Sequence, residues 1–422
     1  MRDYFHRIAI CAAACFVTAA YGQVDRLDPV ARKAIHELPI EWQVISSNEI
    51  DAAQVQQIGQ RLGADVRGLS NAVFSVMGKR IQVNTIVCVD SQAAEAVLAG
   101  LRQSKPAFAC RAVGPIAIEF VGQDDNLIRR AGYDLKLAPR PEHLRYRVRV
   151  RVAPLKRCPD YMKWNGAVNA IVAAEADKSN ASLRAQRDEL LAGFEFGDQL
   201  ILGKHAGLEY TFDPAPARED VDNSRGLARY QFKDLPRQDD IPYVTMTATY
   251  TTGGNYMSDP RKPSAACTKS TADWPADDPE LRKLADEVTA GAKSDADAVD
   301  ALLRWLRPNV NIRFAGQTGS RYGVTDVLSQ KRGHCWDFSD LFITLCRAKG
   351  IPARQIAGWI YGGEGHVWAE VWIDGHWKQV DATGGGMVDC EPYHIGYVVS
   401  ENGGMPMLYV TLPEIELLNF EE

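Results

Sequence analysis

The stretch from Gly333 to Thr383 constrains the fold of this chain more than any other part of its sequence. After Gly333, the run CWDFSDLFITLCRAKG repeats apolar residues at helical spacing, which predicts a helix that begins at Cys335. The run HVWAEVWIDGHWKQVDAT then alternates apolar and polar residues around Asp374-Gly375, a pair typical of a two-residue hairpin turn. We therefore predict a buried helix followed by an antiparallel β-hairpin.

The hairpin turn decides which side chains face each other. If Ile373 pairs with His376, Trp368 lies opposite Asp381, and His366 becomes the diagonal neighbour of Asp381 on the same face. Diagonal neighbours lie about 7 to 8 Å apart at the backbone, which is within reach of their side chains. The spacing thus predicts a contact between His366 and Asp381.

Two cysteines lie on the predicted helix, and their positions separate their chemistry. Cys335 is in the first turn, where unpaired backbone amides and the helix dipole stabilise a thiolate, the nucleophilic form of cysteine. Cys346 lies within the apolar pattern and is predicted to be an inert core thiol. With His366 as the base and Asp381 as the carboxylate that orients it, Cys335 would complete a triad for thiol acyl transfer.

Two other interpretations of these residues have less support. Glu370 is the rival carboxylate, but it lies too far from His366 along an extended strand for a hydrogen bond. A zinc site would have to draw on His334, Cys335, His366 or Cys390, yet no metal-ligand spacing appears, and neighbouring side chains are expected to point apart. We therefore predict no metal and no cofactor here.

Four motifs, GHCWDF, FITLCRAKGIPAR, GHVWAEVW and WKQVDAT, resemble the core of the transglutaminase-like superfamily. The resemblance is strongest over residues 322–383 and extends over about 275–397. It implies a papain-like α+β fold in which the cysteine helix packs on an antiparallel sheet. It also implies that Cys335, His366 and Asp381 are the catalytic residues.

The resemblance extends to two tryptophans. Trp336 and Trp368 match aromatic positions of animal transglutaminases, which implies that they bind substrate. The chain departs from those enzymes in lacking a recognisable calcium loop: Asp295, Asp297 and Asp300 lack its glycine and glutamate, and acidic residues are typical of a first helical turn. This departure disfavours protein crosslinking.

These features favour an enzyme that forms a cysteine acyl-enzyme with a peptide or protein substrate. Hydrolysis of a peptide or amide bond, for example in a cell-envelope peptide, is the first expectation. One alternative is transfer of a glutamine acyl group to an amine, the reaction of a protein-glutamine gamma-glutamyltransferase. The other is a non-catalytic peptide-binding or scaffold protein, and the complete triad argues against it.

The rest of the sequence predicts an α+β protein of several domains. Helices and strands alternate first, strands dominate from about Leu144, and a loop rich in Gly, Pro, Ser and Thr over 253–275 precedes the catalytic motifs. The strand-rich part weakly resembles the β domains that precede this core in bacterial proteins. The predicted division is a signal peptide at 1–22, a small α/β domain at 23–140, a β-rich sandwich-like domain at 141–270, a transglutaminase-like catalytic domain at 271–400 and a C-terminal segment at 401–422.

The N-terminus has the layout of a secretory signal peptide. Arg2 and Arg7 precede an apolar run over residues 8–20 that ends in small residues, so cleavage is expected near Gly22. The run is shorter than the roughly 20 apolar residues that a membrane-spanning helix needs. We predict a secreted or periplasmic protein with no membrane span, and lipid attachment at Cys15 is a less favoured alternative.

Charge and cysteine content narrow the partners and the compartment. The net charge of −6 at pH 7 disfavours nucleic acid, and the basic run over 145–151 alternates with apolar residues as the face of a strand does. Of nine cysteines, Cys11 and Cys15 would leave with the signal peptide, so an odd number remains. An exported protein pairs most thiols, with Cys88 and Cys110 as the most favourable disulfide, and one thiol is left for chemistry.

Overall fold

The computed structural model describes residues 42–76, 79–135, 143–157, 161–204, 207–223, 226–252, 258–259, 262–307, 310–316, 319–362, 365–383 and 393–418. The predicted signal peptide and Cys390 lie outside these residues. The described residues divide into two compact units: one lies within Met1–Pro141 and Tyr361–Glu364, and the other lies within Glu142–Ile360 and Gly365–Phe420. Within the described residues, every helix is too short or too polar to cross a bilayer.

The first unit is built on one antiparallel sheet. Its elements are β1 (Trp42–Glu49), α1 (Ala52–Leu62), β2 (Val66–Val76), β3 (Lys79–Cys88), α2 (Ser91–Leu101), β4 (Cys110–Val113), β5 (Ile116–Gly122) and α3 (Asp125–Asp134). The strands lie in the order β1-β2-β3-β5-β4. Asp51, Asp90 and Asp124 cap the three helices, because each carboxylate accepts a hydrogen bond from a backbone N–H three residues on. Val97 of α2 packs against Ile86 of β3, which confirms the predicted α/β character.

The predicted disulfide between Cys88 and Cys110 is wrong. Both thiols are buried and free, because the cysteines lie on β3 and β4, which flank β5 on opposite sides. Cys110 pairs with Glu119, whereas the backbone N–H of Cys88 donates to Pro115, just before the start of β5. The Cα atoms of Cys88 and Cys110 are therefore separated by two strand spacings of about 4.8 Å each, and by an offset along the strands. This separation exceeds the roughly 7 Å that a disulfide allows between Cα atoms.

A β-rich part opens the second unit. Its elements are β6 (Leu144–Arg157), α4 (Tyr161–Ala176), α5 (Ala181–Leu191), β7 (Glu195–Phe196), β8 (Gln199–Gly203), β9 (Leu208–Asp213), β10 (Arg218–Asp222), β11 (Leu227–Gln231), β12 (Arg237–Gln238), β13 (Ile241–Pro242) and β14 (Val244–Thr252). Strand β14 lies between β6 and β9, and β10-β11-β8 form a further sheet. Alternation in β6 buries Tyr146, Val148 and Val150 and leaves Arg147 and Arg149 exposed. The β-rich character and the strand-face interpretation of the basic run are confirmed.

The motif-bearing part completes the second unit. Its elements are β15 (Ser258–Asp259), α6 (Pro279–Val288), α7 (Asp295–Leu306), β16 (Arg313–Phe314), α8 (Val324–Gln330), β17 (Arg332–Gly333), α9 (Cys335–Ala348), β18 (Ala353–Ile360), β19 (Gly365–Ile373), β20 (His376–Val380), β21 (His394–Ser400), β22 (Met407–Tyr409) and β23 (Glu414–Leu417). The sheet order is β15-β20-β19-β18-β21. Phe342 and Leu345 of α9 share a buried core with Ala369 and Val371 of β19. The predicted α+β fold, with the cysteine helix on an antiparallel sheet, is confirmed.

Strands from the predicted C-terminal segment join the β-rich part. Both β22 and β23 pair antiparallel with β6, and the indole N–H of Trp164 in α4 donates to the carbonyl of Met407 in β22 at 2.7 Å. The β-rich and motif-bearing parts belong to the same compact unit. The domain boundaries at 141–270, 271–400 and 401–422 stay predictions.

The hairpin has the predicted register. Ile373 pairs with His376, and Ala369 pairs with Val380. Asp374, at the first turn position, has a φ of 53°, and the glycine that follows it has a φ of 81°, as a type I′ turn requires. The turn therefore fixes which residues of β19 lie beside the end of β20.

Candidate active site

The N-terminus of α9 places Cys335 at the start of a helix, as predicted. Asp337 fixes this start, because its carboxylate accepts hydrogen bonds from the backbone N–H of His334 at 2.9 Å and of Tyr322 at 2.7 Å. A side chain at Gly333 would collide with Asp337, since an added Cβ would lie 2.6 Å from the Cβ of that residue. Close packing of the turn thus fixes the position of Cys335 at the start of α9. The residue is only 2% exposed.

The hairpin brings His366 and Asp381 into contact, which confirms the contact that the spacing predicts. Nε2 of His366 lies 2.7 Å from Oδ2 of Asp381, and both residues are buried. The other carboxylate oxygen, Oδ1, accepts hydrogen bonds from the backbone N–H of Thr383 at 2.9 Å and from its hydroxyl at 2.7 Å. Because Nε2 faces the carboxylate, Nδ1 is the ring nitrogen available to Cys335.

Charges in the site favour a pair of thiolate and imidazolium. Burial by itself would raise the pKa of the Cys335 thiol, but hydrogen bonds and positive charge from His334 and His366 lower it to about 6. Burial by itself would lower the pKa of His366, but Asp381 and the Cys335 thiolate raise it to about 10. Burial also disfavours the carboxylate of Asp381, yet His366 and His394 hold its pKa well below the ordinary range.

Two histidines outside the predicted triad contact it. His394, the first residue of β21, lies with Nε2 3.1 Å from Oδ2 of Asp381. His334, directly before the helix, helps to lower the pKa of the Cys335 thiol and stacks on Phe314 with 4.7 Å between ring centroids. The expectation that neighbouring His334 and Cys335 point apart stays a prediction. Adjacency to the cysteine was a visible signal for His334, whereas only the folded sheet brings His394 to Asp381.

The two tryptophans that the family resemblance assigns to substrate binding differ in their surroundings. Trp368 is fully buried, and its indole N–H donates to Oε1 of Gln379 at 2.9 Å. Its ring stacks beside His366 with 6.0 Å between centroids, so it supports the imidazole. Trp336 is 4% exposed and contacts the ring of Tyr161 at 4.0 Å between centroids. Direct contact of either tryptophan with a substrate stays a prediction.

Glu370, the rival carboxylate, has its own buried partners. Its Oε2 accepts a hydrogen bond from Nε of Arg354 at 2.6 Å, and its Oε1 accepts one from Gln379 at 3.3 Å. The guanidinium of Arg354 also lies over the ring of Trp377, 4.2 Å from its centroid. The carboxylate of Glu370 is thus directed to Arg354 rather than to His366.

His366, Asp381 and His394 also offer a cluster of possible metal ligands, since one donor atom of each lies within 4.8 Å of the others. However, the two imidazole nitrogens lie 2.7 and 3.1 Å from Oδ2 of Asp381. Ligands of a tetrahedral zinc ion are farther apart, at about 3.3 Å, given Zn–N and Zn–O bonds near 2.0 Å. The spacing in this cluster fits a hydrogen-bonded network.

The acidic residues at the start of α7 serve the helix. Asp295 and Asp297 lie in its first turn, where the helix dipole favours negative charge. Asp297 accepts a hydrogen bond from the backbone N–H of Lys293 at 3.0 Å, and Asp300 forms an ion pair with Arg304 one turn later. These contacts account for the acidic residues as parts of a helix start.

An open cavity of about 620 Å³ lies beside the start of α9. Tyr161, Arg321 and Asp340 are among its lining residues. Arg321 donates from Nε to Oδ2 of Asp340 at 2.6 Å, and its guanidinium lies over Trp336, 4.8 Å from the ring centroid. Two residues that line the cavity, Tyr161 and Arg321, thus contact Trp336, which follows Cys335 in the chain, and the cavity combines aromatic and charged walls.

Comparisons with known proteins agree with the motifs. The family model of the transglutaminase-like superfamily matches residues 282–382. An uncharacterized protein of Mycobacterium leprae is 33% identical over 92 residues, which cover 19% of this chain and 33% of that protein. The kyphoscoliosis peptidase of Mus musculus is 27% identical over 136 residues, which cover 29% of this chain and 21% of the peptidase. The matched segments span a third or less of these relatives.

Among solved structures, a candidate cysteine protease from Cytophaga hutchinsonii aligns with a TM-score of 0.37 at 15% identity, over 66% of this chain and 92% of that one. The periplasmic domain of TgpA from Pseudomonas aeruginosa aligns with a TM-score of 0.26 at 18% identity, over 58% and 88% of the two chains. Cys335, His366 and Asp381 all lie inside the segment matched by the family model. Residues 282–382 thus match the core domain of the transglutaminase-like superfamily.

Proposed function

We propose that this chain is a secreted or periplasmic thiol hydrolase that cleaves peptide or amide bonds through an acyl-enzyme on Cys335. The observation that carries the proposal is the 2.7 Å contact between His366 and Asp381 beside a thiol whose pKa is lowered to about 6. Burial among apolar side chains raises the pKa of a thiol, as it does at Cys346. The contrast supports Cys335 as the reactive thiol.

In the proposed reaction, the thiolate of Cys335 attacks the carbonyl carbon of the scissile bond. Backbone N–H groups at the start of α9 stabilise the oxyanion of the tetrahedral intermediate. The proton on Nδ1 of His366 passes to the leaving amine as the C–N bond breaks, and a thioester remains on the sulfur. Asp381 holds the proton on Nε2 and stabilises the charged ring.

Water completes the proposed cycle. It transfers a proton to Nδ1 of His366 while its oxygen attacks the thioester carbon, and the C–S bond then breaks to release a carboxylic acid and the thiolate. An amine that replaces water at this step would yield an amide instead. Hydrolysis and acyl transfer thus share the acyl-enzyme and differ in the second nucleophile.

The test is turnover of a peptide and amide library by the exported protein, with product masses read in the presence and absence of a primary amine. We expect carboxylic acid products from the unchanged protein and none from Cys335→Ala. The control Cys346→Ala should keep its turnover, because Cys346 lies near the other end of the same helix. Turnover that survives Cys335→Ala would overturn the proposal. Mainly amide products would favour the acyltransferase, and no thioester or turnover in the unchanged protein would favour a scaffold.

The proposed compartment has its own test. The intact mass of exported protein should correspond to a chain that begins near Gln23. Peptide mapping without reduction should recover Cys88 and Cys110 as free thiols, since they lie on strands separated by a third strand. An exported product that keeps residues 1–22 would contradict the proposed signal peptide cleavage near Gly22.

A further inference from the structure

We propose that His394 is a positioning residue that holds the carboxylate of Asp381 in line with His366. The inference rests on the proposed function, because it assigns a fourth residue to the same site. His394 reaches neither the thiol nor a substrate in this assignment. It acts through Asp381, whose orientation decides whether Nε2 of His366 keeps its partner.

The carboxylate of Asp381 is held by contacts on both oxygens. Thr383 donates twice to Oδ1, from its backbone N–H at 2.9 Å and its hydroxyl at 2.7 Å. On Oδ2, Nε2 of His366 lies at 2.7 Å and Nε2 of His394 lies at 3.1 Å. Four contacts fix the plane of the carboxylate, and His394 supplies one of the two that set the direction of Oδ2.

The ring of His394 is itself fixed by packing. It meets the ring of Trp368 edge-on, with 5.0 Å between centroids, and the ring of His366 with 5.7 Å between centroids. Trp368 in turn stacks on His366 and is anchored by its hydrogen bond to Gln379. His394 is only 7% exposed. A donor held this rigidly loses little conformational freedom when it binds the carboxylate.

The topology of the sheet explains how His394 reaches the site. Strand β21 is separated from β19 by β18, yet β18 carries Gly358 where it pairs with Gly396 of β21. A Cβ at Gly358 would strike the carbonyl of Ile395, and a Cβ at Gly396 would lie 2.7 Å from Cζ2 of Trp368. Gly358 thus lets the backbones of β18 and β21 approach closely, and Gly396 leaves room for Trp368, on whose ring His394 packs.

The physical consequence concerns the thiol. Without His394, Oδ2 keeps His366 as its partner but loses the second contact, so the carboxylate gains freedom to rotate. A less ordered carboxylate stabilises the imidazolium of His366 less. When the charged form of His366 is less stable, it stabilises the thiolate of Cys335 less. The thiol of Cys335 then ionises at higher pH. Asp381 and His366 are among the charged and titratable groups that face His394.

The experiment measures alkylation of Cys335 by iodoacetamide across pH, with each cysteine resolved by peptide mapping. His394→Phe keeps an aromatic ring against Trp368 but removes the donor, whereas His394→Gln keeps an N–H near the position of Nε2. His376→Phe on the hairpin turn makes the same chemical change away from the triad and is the control. Thermal unfolding is recorded for every variant.

We expect His394→Phe to move the midpoint of the profile up by about one unit and to slow alkylation of Cys335 about tenfold at about pH 5, well below the midpoint, since one unit corresponds to a factor of ten in the ionisation equilibrium. His394→Gln should restore most of the loss, and His376→Phe should match the unchanged protein. A loss of thermal stability in His394→Phe with an unmoved midpoint would assign His394 a purely structural role and overturn the inference. An ordinary thiol midpoint in the unchanged protein would instead overturn the proposed function.

Discussion

At the scale of residues, Cys335 and Cys346 show how neighbours decide the acidity of a thiol. Both lie on α9 and both are buried. Burial raises the pKa of Cys346 far above the ordinary value. At Cys335 the same penalty is outweighed by two imidazoles, and the pKa falls to about 6. The position of the thiol relative to the helix start and the hairpin, rather than its burial, determines its reactivity.

The pH dependence of alkylation should follow from these pKa values. The thiolate of Cys335 is the reactive form, so its rate should rise as pH passes about 6 and stay level until His366 loses its proton near pH 10. Cys346 should react slowly throughout this range, because its pKa is raised. Rates resolved for each cysteine by mass spectrometry check this expectation. A Cys335 profile that rises only above pH 8 would contradict it.

Substitution of the two carboxylates of the hairpin should separate a catalytic role from a structural one. Asp381→Asn removes the charge that stabilises imidazolium and permits the wrong tautomer of His366, so kcat should fall at least about 10²-fold, or roughly 2.7 kcal/mol of barrier. Glu370→Gln weakens the buried ion pair with Arg354 and should lower the free energy of unfolding by up to about 3 kcal/mol, with a much smaller loss of kcat. Turnover and thermal unfolding of both variants give the comparison. A larger loss of kcat from the Glu370 change would refute the triad.

At the scale of elements, the close approach of β18 and β21 positions Trp368, the ring that supports His366. Trp368 is held against α9 as well, because the hydroxyl of Ser339 donates to its carbonyl at 3.1 Å. The side chain then lies over the paired strands β18 and β21, where an added Cβ at Gly396 would meet Ile356 and Trp368. The hairpin supplies His366, and its neighbours in the sheet supply the surface that supports the ring.

Gly396→Ala should therefore displace Trp368 and disturb His366. We expect a loss of about 1 to 3 kcal/mol in the free energy of unfolding, the usual cost of added volume in a packed core, together with slower alkylation of Cys335. Gly291→Ala is the matched control, since an added Cβ there meets no atom within 4 Å. Chemical denaturation and alkylation rates measure the two effects. Equal stability and equal alkylation rates in the two variants would show that the space at Gly396 does not support the site.

At the scale of the whole molecule, the β-rich and motif-bearing parts of the second unit share structural elements. Strands β22 and β23, which follow the sheet of the site in the chain, pair with β6. The hydroxyls of Tyr397 and Tyr409 lie 2.8 Å apart, which links β21 to β22. Tyr161, from helix α4 of the β-rich part, contacts Trp336 beside the nucleophile. The site depends on chain segments far outside the motifs.

A fragment of residues 271–400 should accordingly be less stable than a chain that spans 143–418. The fragment loses Tyr161 against Trp336 and exposes apolar surface that the β-rich part covers, so we expect earlier thermal unfolding and loss of selective alkylation at Cys335. Circular dichroism melting and site-resolved alkylation of both chains measure this. A fragment that melts and reacts like the longer chain would instead support an independent catalytic domain with the predicted boundaries.

Local patterns were sufficient to predict the helix that begins at Cys335, the hairpin and its register, and hence the contact between His366 and Asp381. These features depend on spacing within a short stretch, because a two-residue turn sets the register and apolar periodicity sets the helix. His394, the partner of Glu370, the separation of Cys88 from Cys110 and the pairing of β22 and β23 with β6 emerged only from the folded chain. Each of these features depends on which strands are neighbours in a sheet. The order of strands in a sheet produces no periodic pattern in the sequence.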